Sequence, residues 1–424
     1  MNDQQIYQLI KAEEMRQLDG LELIPSENYV SKDVIRALGS VFTNKYSEGY
    51  PGRRYYGGQK NTDELETITI DRAKKLFRAD HANVQSHSGA QANEAVYYTW
   101  LDPGDSVLAM DLSHGGHLTH GAPVTNLSKQ YNFIRYGMKD VETGEIDYDN
   151  IRHLALKHKP KIILAGFSAY PRKLNYKKFV EIGNEVGAVL VADMAHIAGL
   201  IAANVLDNPL DFGFHVMTAT THKTMRGPRG GMILTRGTAG NPLKKLDKTI
   251  DNLPTLIDRM VFPGIQGGPH MNVIAAKAVA FYEANKPEFK DYANQVLLNA
   301  NELASQLMSR GFKLITNGTD NHLMLIDMIS SFGIDGDATE KTLDKVGLNL
   351  NKNSIPFDTL PPFKPSGIRL GTPAITTRGL KEKDMSIIAQ WMLDAINNRD
   401  NSTVLERISN EVKDFSNKYP LPTD

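Results

Sequence analysis

Residues 188–223 read "AVLVADMAHIAGLIAANVLDNPLDFGFHVMTATTHK". Two short apolar runs stand at its ends, "AVLVA" before Asp193 and "HVMTA" shortly before Lys223. Each has the length and residue types of a buried strand. A carboxylate directly after five apolar residues is costly to bury alone, so Asp193 needs a cationic or hydrogen-bonding partner. The plainer alternative is an aspartate that caps the next element. Lys223 follows Asp193 by thirty positions, one crossover and one strand later. If the two strands run parallel, both residues emerge at the same edge of the sheet, where open α/β sheets bind ligands.

The pattern extends to both sides. "SVLAMDL" (106–112), "KIILAGFS" (161–168) and "GGMILT" (230–235) read as further buried strands, and "NYKKFVEIGNEVG" reads as a helix between two of them. This alternation predicts a mainly parallel sheet with helices on both faces. "TDELETITIDRAKKLF" reads as a helix with Thr62 as its cap. Helical patterns at 269–284 and 288–309 follow. The chain then restarts with "HLMLIDM", a helix, "SGIRLGT" and a last helix near 379–398, which reads as a smaller α+β domain. The expected organisation is an N-terminal helical arm over 1–20, a large domain over 21–284 and a small C-terminal domain over 285–424.

Composition narrows the function classes. The 424 residues are 41% hydrophobic and 23% charged, ordinary for a globular chain with a sizeable core. With 48 basic and 49 acidic residues, a general nucleic-acid or membrane-surface binder is not expected. There is no cysteine, so neither disulfides nor thiol catalysis operates. The first twenty residues read as an amphipathic helix without a signal-type apolar core, and no run approaches the ~20 apolar residues of a membrane span. A cytoplasmic location is expected. The Asn-x-Ser/Thr triplets at Asn126, Asn317 and Asn401 read as chance matches.

A strand-end lysine with a strand-end carboxylate suits pyridoxal phosphate. The amine forms the imine, and the carboxylate keeps the pyridine nitrogen protonated so that the ring accepts electrons. "HSGAQAN" offers Ser88, Gly89 and Ala90 where a helix should begin, a place for the phosphate. "PGIQGGPH" adds Gly267 and Gly268 before another helix. In "HGGHLTHG", His114, His117 and His120 recur every three residues. A metal reading lacks a nearby carboxylate set in sequence, and a flat imidazole stacked on a flat cofactor is the better one. Arg369, alone in the apolar "SGIRLGT", suits a bidentate grip on a carboxylate or a structural ion pair. Glu48, among Tyr46, Tyr50, Tyr55 and Tyr56, suits proton transfer near neutral pH or a plain surface role.

Taken in order, "LIPSENY", "TNKYSEGYPGRRYYGG", "HSGAQAN", "HGGHLTHG", "VADMAHIAGL", "TTHKTMRGPRGG", "FPGIQGG", "NKNSIP" and "SGIRLGTPAIT" resemble the serine hydroxymethyltransferase family. The resemblance implies a fold-type I pyridoxal-phosphate enzyme with a seven-stranded, mainly parallel sheet. It implies reversible transfer of the serine hydroxymethyl carbon to tetrahydrofolate, giving glycine and methylenetetrahydrofolate, in a homodimer with shared sites. By the same resemblance, Lys223 would form the imine and Asp193 would pair with the pyridine nitrogen. His117 would stack on the ring, and His196 would meet its phenolic side. Ser88, Gly89 and Ala90 would hold the phosphate, helped by Gly268 of a neighbouring subunit. His222 and Thr220 would flank the lysine. Ser26, Arg369 and Ser168 would surround the amino acid or cofactor. Tyr46, Glu48 and Tyr56 would reach across a dimer interface. Leu112, Gly116, Leu118, Asn353 and Phe363 would contact folate. No metal is expected.

Pro25, Ile265, Pro171 and the Pro361–Pro362 pair depart from the usual family pattern. The last of these bears on pterin binding. Rival readings are a folate-independent threonine or β-hydroxy-amino-acid aldolase, an RNA binder and a catalytically dead scaffold.

Overall fold

The computed structural model describes residues 3–237 and 252–423. The chain divides into two compact units. One comprises Val30–Asp140 and Glu145–Ala293, and the other Met1–Tyr29, Val141–Gly144 and Asn294–Asp424. The sequence boundaries at 20 and 284 therefore differ from this division. Residues 21–29 go with the C-terminal unit because Leu21–Glu22 pairs in parallel with Leu348–Asn349, and Leu21 and Leu23 are fully buried in that unit's core.

The larger unit is built on seven strands: β1 (His81–Asn83), β2 (Ser106–Met110), β3 (Asn132–Tyr136), β4 (Ile162–Gly166), β5 (Val189–Asp193), β6 (Val216–Thr220) and β7 (Gly231–Thr235). Their spatial order is β1-β7-β6-β5-β4-β2-β3. Pairings from β3 through β6 are parallel, while β7 is antiparallel to both β6 and β1. Six strands thus run one way and β7 is reversed, so the expected mainly parallel seven-stranded sheet is what forms.

Every residue of β4, β5, β6 and β7 is buried, as expected of a sheet covered on both faces. Alternation assigns the faces. Val189 and Val191 pack with Ala92 and Val96 of the helix Gly89–Trp100. On the opposite face, the helix Tyr176–Val186 comes so close that a Cβ on Gly183 would meet Leu190 Cδ2 at 2.7 Å. The helix expected to start at Thr62 begins at Lys60. Thr62 lies inside its first turn and donates to the Gln59 carbonyl at 2.9 Å.

The smaller unit carries a four-stranded antiparallel sheet in the order Lys313–Leu314, Leu323–Asp327, Gly367–Gly371, Asn351–Asn353. The helices Glu382–Asn397 and Ser402–Ser416 contribute to its core. Arg378, 4% exposed, donates to the carbonyls of Gln17, Leu18, Gly20, Ser416 and Tyr419. Its charge so meets the negative ends of the helices Gln4–Asp19 and Ser402–Ser416. Among the described residues, no helix is long and apolar enough to cross a membrane.

Candidate active site

Six strands end at the same edge of the large sheet, and the candidate residues follow five of those ends. Ser88–Ala90 come after β1, Leu112–His120 after β2, Ser168 after β4, Asp193 and His196 at and after β5, and Thr220–Lys223 at and after β6. Because β5 and β6 are adjacent and Asp193 is in register with Thr218, the carboxylate and the lysine leave neighbouring strands.

Asp193 has the same parity as Val189 and Val191, so it faces the helix Gly89–Trp100. Its Oδ2 accepts from Asn93 Nδ2 of that helix at 2.8 Å and from His120 Nε2 at 3.0 Å. Its Oδ1 accepts the Ala195 amide at 3.1 Å. His120 Nδ1 accepts the His117 amide at 3.1 Å, which leaves the ring proton on Nε2, facing Asp193. Burial alone would raise the Asp193 pKa. The hydrogen bonds from His120 and Asn93, with His117 nearby, outweigh burial and hold the carboxyl well below its ordinary value. Asn93 is locked in turn, its Oδ1 accepting from Thr218 and its Nδ2 also reaching Thr119 Oγ1 at 2.8 Å.

Lys223 is 8% exposed on the turn after β6. The Thr221 amide donates to Gly230 at 3.1 Å and its carbonyl accepts from Gly227 at 2.7 Å, which closes the loop around the lysine. Thr224 Oγ1 donates to the His196 carbonyl at 2.9 Å and accepts the Gly199 amide at 3.0 Å, so the loop is pinned to the segment after β5. Thr220 Oγ1 donates to the Ala195 carbonyl at 3.1 Å. His222 Nδ1 accepts the Gly230 amide, and burial, with the charges of Lys223 and Arg229, lowers its pKa to about 3. That imidazole is neutral at physiological pH.

Ser88 caps the helix Gly89–Trp100, its Oγ accepting the Gln91 amide at 3.2 Å. Gly89 lies against Thr220, where a Cβ would come within 2.7 Å of Cγ2. The helix start and the lysine loop are therefore in contact, and the N–H groups of Gly89 and Ala90 have no intrahelical acceptor. The loop with Leu112, Gly116, His117 and Leu118 is tied to Ser168, whose Oγ donates to the Gly116 carbonyl at 2.9 Å. A Cβ on Gly116 would meet the Met110 carbonyl at 2.3 Å, so only glycine fits. Leu112 and Leu118 are 40% and 48% exposed. His117 Nδ1 accepts the Thr119 amide at 3.2 Å.

His117, His120 and Asp193 also form the group that comes nearest to a metal set among the described residues, with one ligand atom each within 4.8 Å of one another. The carboxylate missing from the local sequence is thus supplied from 73 positions beyond His120. Both His120 nitrogens are engaged, one by a backbone amide and one by Asp193. The arrangement is that of a buried carboxylate held ionised by an imidazole.

Tyr46, Glu48, Tyr56 and Gly268 form a second group in the same unit. Tyr46 donates to Glu48 Oε1 at 3.2 Å and packs edge-on to Tyr56 at 5.2 Å, and its ring lies against Gly268. Tyr46 and Tyr56 are 55% and 49% exposed. The charge of Glu48 raises the Tyr56 pKa.

Ser26, Arg369, Asn353 and Phe363 belong to the smaller unit. Gly371 donates to the Leu23 carbonyl at 2.8 Å, which ties the Ser26 segment to the strand of Arg369. Arg369 Nε donates to Asn351 Oδ1 at 3.1 Å, and burial lowers the guanidinium to about 10. Asn353 donates to the Ser354 carbonyl, and Phe363 is 74% exposed.

Asn93 and His120 complete the Asp193 site and were not singled out for that role from sequence. Asn93 follows Gly89 by four positions, one helical turn, which places both on one helix face. A family model described as serine hydroxymethyltransferase matches residues 1–392.

Proposed function

The chain belongs to the serine hydroxymethyltransferase family, a pyridoxal-phosphate-dependent group, and we propose that it moves the hydroxymethyl carbon of L-serine to tetrahydrofolate, reversibly. One observation carries this reading. A buried lysine and a buried, ionised carboxylate leave adjacent parallel strands, beside a capped helix start that offers unpaired N–H groups.

These residues fit the coenzyme by their chemistry. Lys223 supplies the amine that takes the aldehyde, Ser88, Gly89 and Ala90 the donors for a phosphate, and Asp193 the anion for a ring nitrogen. When bound, pyridoxal phosphate supplies an electron sink for the pair released as the serine Cα–Cβ bond breaks.

The chain's own groups do the rest. Asp193, kept ionised by His120 and Asn93, holds a proton on the ring nitrogen and so keeps the sink open. Lys223 would be the residue that holds the coenzyme through its amine when no substrate is bound. Arg369 grips the substrate carboxylate, which fixes the orientation of the bond to be broken. His117 offers a flat ring for stacking, and His196 lies beyond the Asp193 strand end. His222, uncharged, keeps positive charge low beside Lys223. Glu48 moves the proton of the serine hydroxyl, with Tyr46 and Tyr56 beside it. Leu112 and Leu118, apolar yet solvent-facing, with Gly116, Asn353 and Phe363, are the proposed folate contacts. We further propose a homodimer in which Tyr46, Glu48, Tyr56 and Gly268 complete the site of the other copy, in the cytoplasm.

The test is serine cleavage by purified protein with and without tetrahydrofolate, beside Lys223→Ala. The parent should be visibly coloured, with turnover that depends on folate. The variant should stay folded and lose at least about a thousandfold in rate. Folate-independent turnover would favour the aldolase reading instead, and parent-like rates without Lys223 would remove the nucleophile.

A further inference from the structure

Lys277 is a charged side chain in the interior of the large unit that the proposed reaction does not use. It stands on the helix Met271–Ala284 and is 1% exposed. Its Nζ donates to three backbone carbonyls, Val84 at 2.7 Å, Gly231 at 2.8 Å and Ser86 at 3.2 Å. An ammonium has three N–H donors, and each has its acceptor here. Among the described residues, no carboxylate binds it directly. Glu66 is taken by Arg54 and Gln85. Burial pulls the amine's pKa down, while Glu66 and the three carbonyl acceptors favour the charged form. A buried cation is costly, and a methionine-like side chain would fill the same space without that cost.

What sets Lys277 apart is where its acceptors lie. Val84 and Ser86 belong to the segment between β1 and Ser88, which starts the proposed phosphate helix. Gly231 begins β7, the return from the Lys223 loop. The two segments touch. The Gly231 amide donates to Ser86 at 3.0 Å, and a Cβ on Gly231 would meet the Ser88 carbonyl at 2.3 Å. A Cβ on Gly230 would meet Lys277 Cε at 2.6 Å, so the lysine fills the space under the loop. With their carbonyls turned toward Lys277, the Val84 and Ser86 peptides send the following amides the other way. Gln85 donates to Asn83 Oδ1 at 3.0 Å and His87 to Gln266 Oε1 at 3.0 Å.

We propose that Lys277 is a positioning residue: its ammonium clamps both segments from below and so sets the N–H groups at Ser88–Ala90 for a phosphate. The proposal rests on the pyridoxal-phosphate reading above. Replacing Lys277 takes this donor from the Val84 and Gly231 carbonyls and leaves Ser86 with the Gly231 amide alone, which lets the turn shift.

The experiment measures binding to apoenzyme by absorbance and fluorescence for the parent, Lys277→Met and Lys277→Gln. The probes are pyridoxal 5'-phosphate and unphosphorylated pyridoxal, with thermal unfolding as the check on folding. Loss of a charge-assisted clamp should weaken pyridoxal phosphate by about tenfold or more while pyridoxal affinity stays at the parent value. Unchanged pyridoxal-phosphate affinity in a folded variant overturns the proposal, as does an equal loss for both ligands. If Lys277→Met does not fold, Lys277→Gln is read in the same way. Failure of both to fold makes the lysine purely structural and also overturns it. A parent that binds neither probe defeats the cofactor reading itself, an outcome distinct from a variant that matches a binding-competent parent.

Discussion

Asp193 shows how a single residue can be legible while its support is not. Five apolar residues before a carboxylate announce a buried strand end, and that follows from local pattern alone. The groups that keep it ionised, His120 and Asn93, lie 73 and 100 positions away in the chain. No periodicity links such distances. His120→Ala should leave Oδ2 with Asn93 as its remaining side-chain donor, lowering unfolding free energy at pH 7 by about 2 kcal/mol. The sign follows from linkage. A depressed carboxyl pKa stabilises the fold above the unfolded value and is lost as pH falls through the folded one. The variant raises the folded pKa, so its urea midpoint should drop most at neutral pH and converge on the parent in acid. A midpoint equal to the parent at pH 7 would remove His120 from this role.

Among the elements, the large-sheet strands were legible because each is a continuous apolar run, but β1 and β3 escaped notice. Three residues, "HAN", make β1, too few for any period, and β3 is the edge strand "NFIRY", only partly buried. The helix Ser402–Ser416 was likewise missed, and its cap is Asn401, which heads one of the Asn-x-Ser/Thr triplets and accepts the Val404 amide at 3.3 Å. The contact between Ser88 and Gly231 makes an element-level prediction. Gly231→Ala places a methyl against the Ser88 backbone, which cannot rotate away as a side chain can. The turn must shift, at a cost of about 2 kcal/mol in stability and about tenfold in affinity for pyridoxal phosphate. Calorimetry and apoenzyme titration check both, and an unperturbed variant would show that the turn has slack.

For the molecule as a whole, acid sensitivity has identifiable sources. His215, 2% exposed, has Nδ1 fixed as acceptor of the Leu190 amide at 2.9 Å, and burial lowers it to about 4 from 6.5. A histidine held neutral in this way stabilises the fold above pH 6.5, and that contribution is lost as pH falls toward 4. At ~1.4 kcal/mol per pKa unit the effect is about 3 kcal/mol, so His215→Gln should flatten the stability profile between those limits. A variant profile as steep as the parent's would exclude it. Assembly can be tested by complementation. Lys223→Ala and Glu48→Gln should each be poor in the folate-dependent reaction. Co-assembled chains should recover about a quarter of the parent's sites if Glu48 serves the other copy. No recovery would place Glu48 in its own chain's site. The sequence by itself determined the sheet class, the strand-end lysine and aspartate and the family, because these are written in local runs and ordered motifs. Only tertiary structure decided that His120 and Asn93 hold Asp193, that residues 21–29 join the C-terminal unit, and that Lys277 lies under the turn that leads to Ser88. Buried polar groups choose their partners by proximity in space, and chain order carries no record of that.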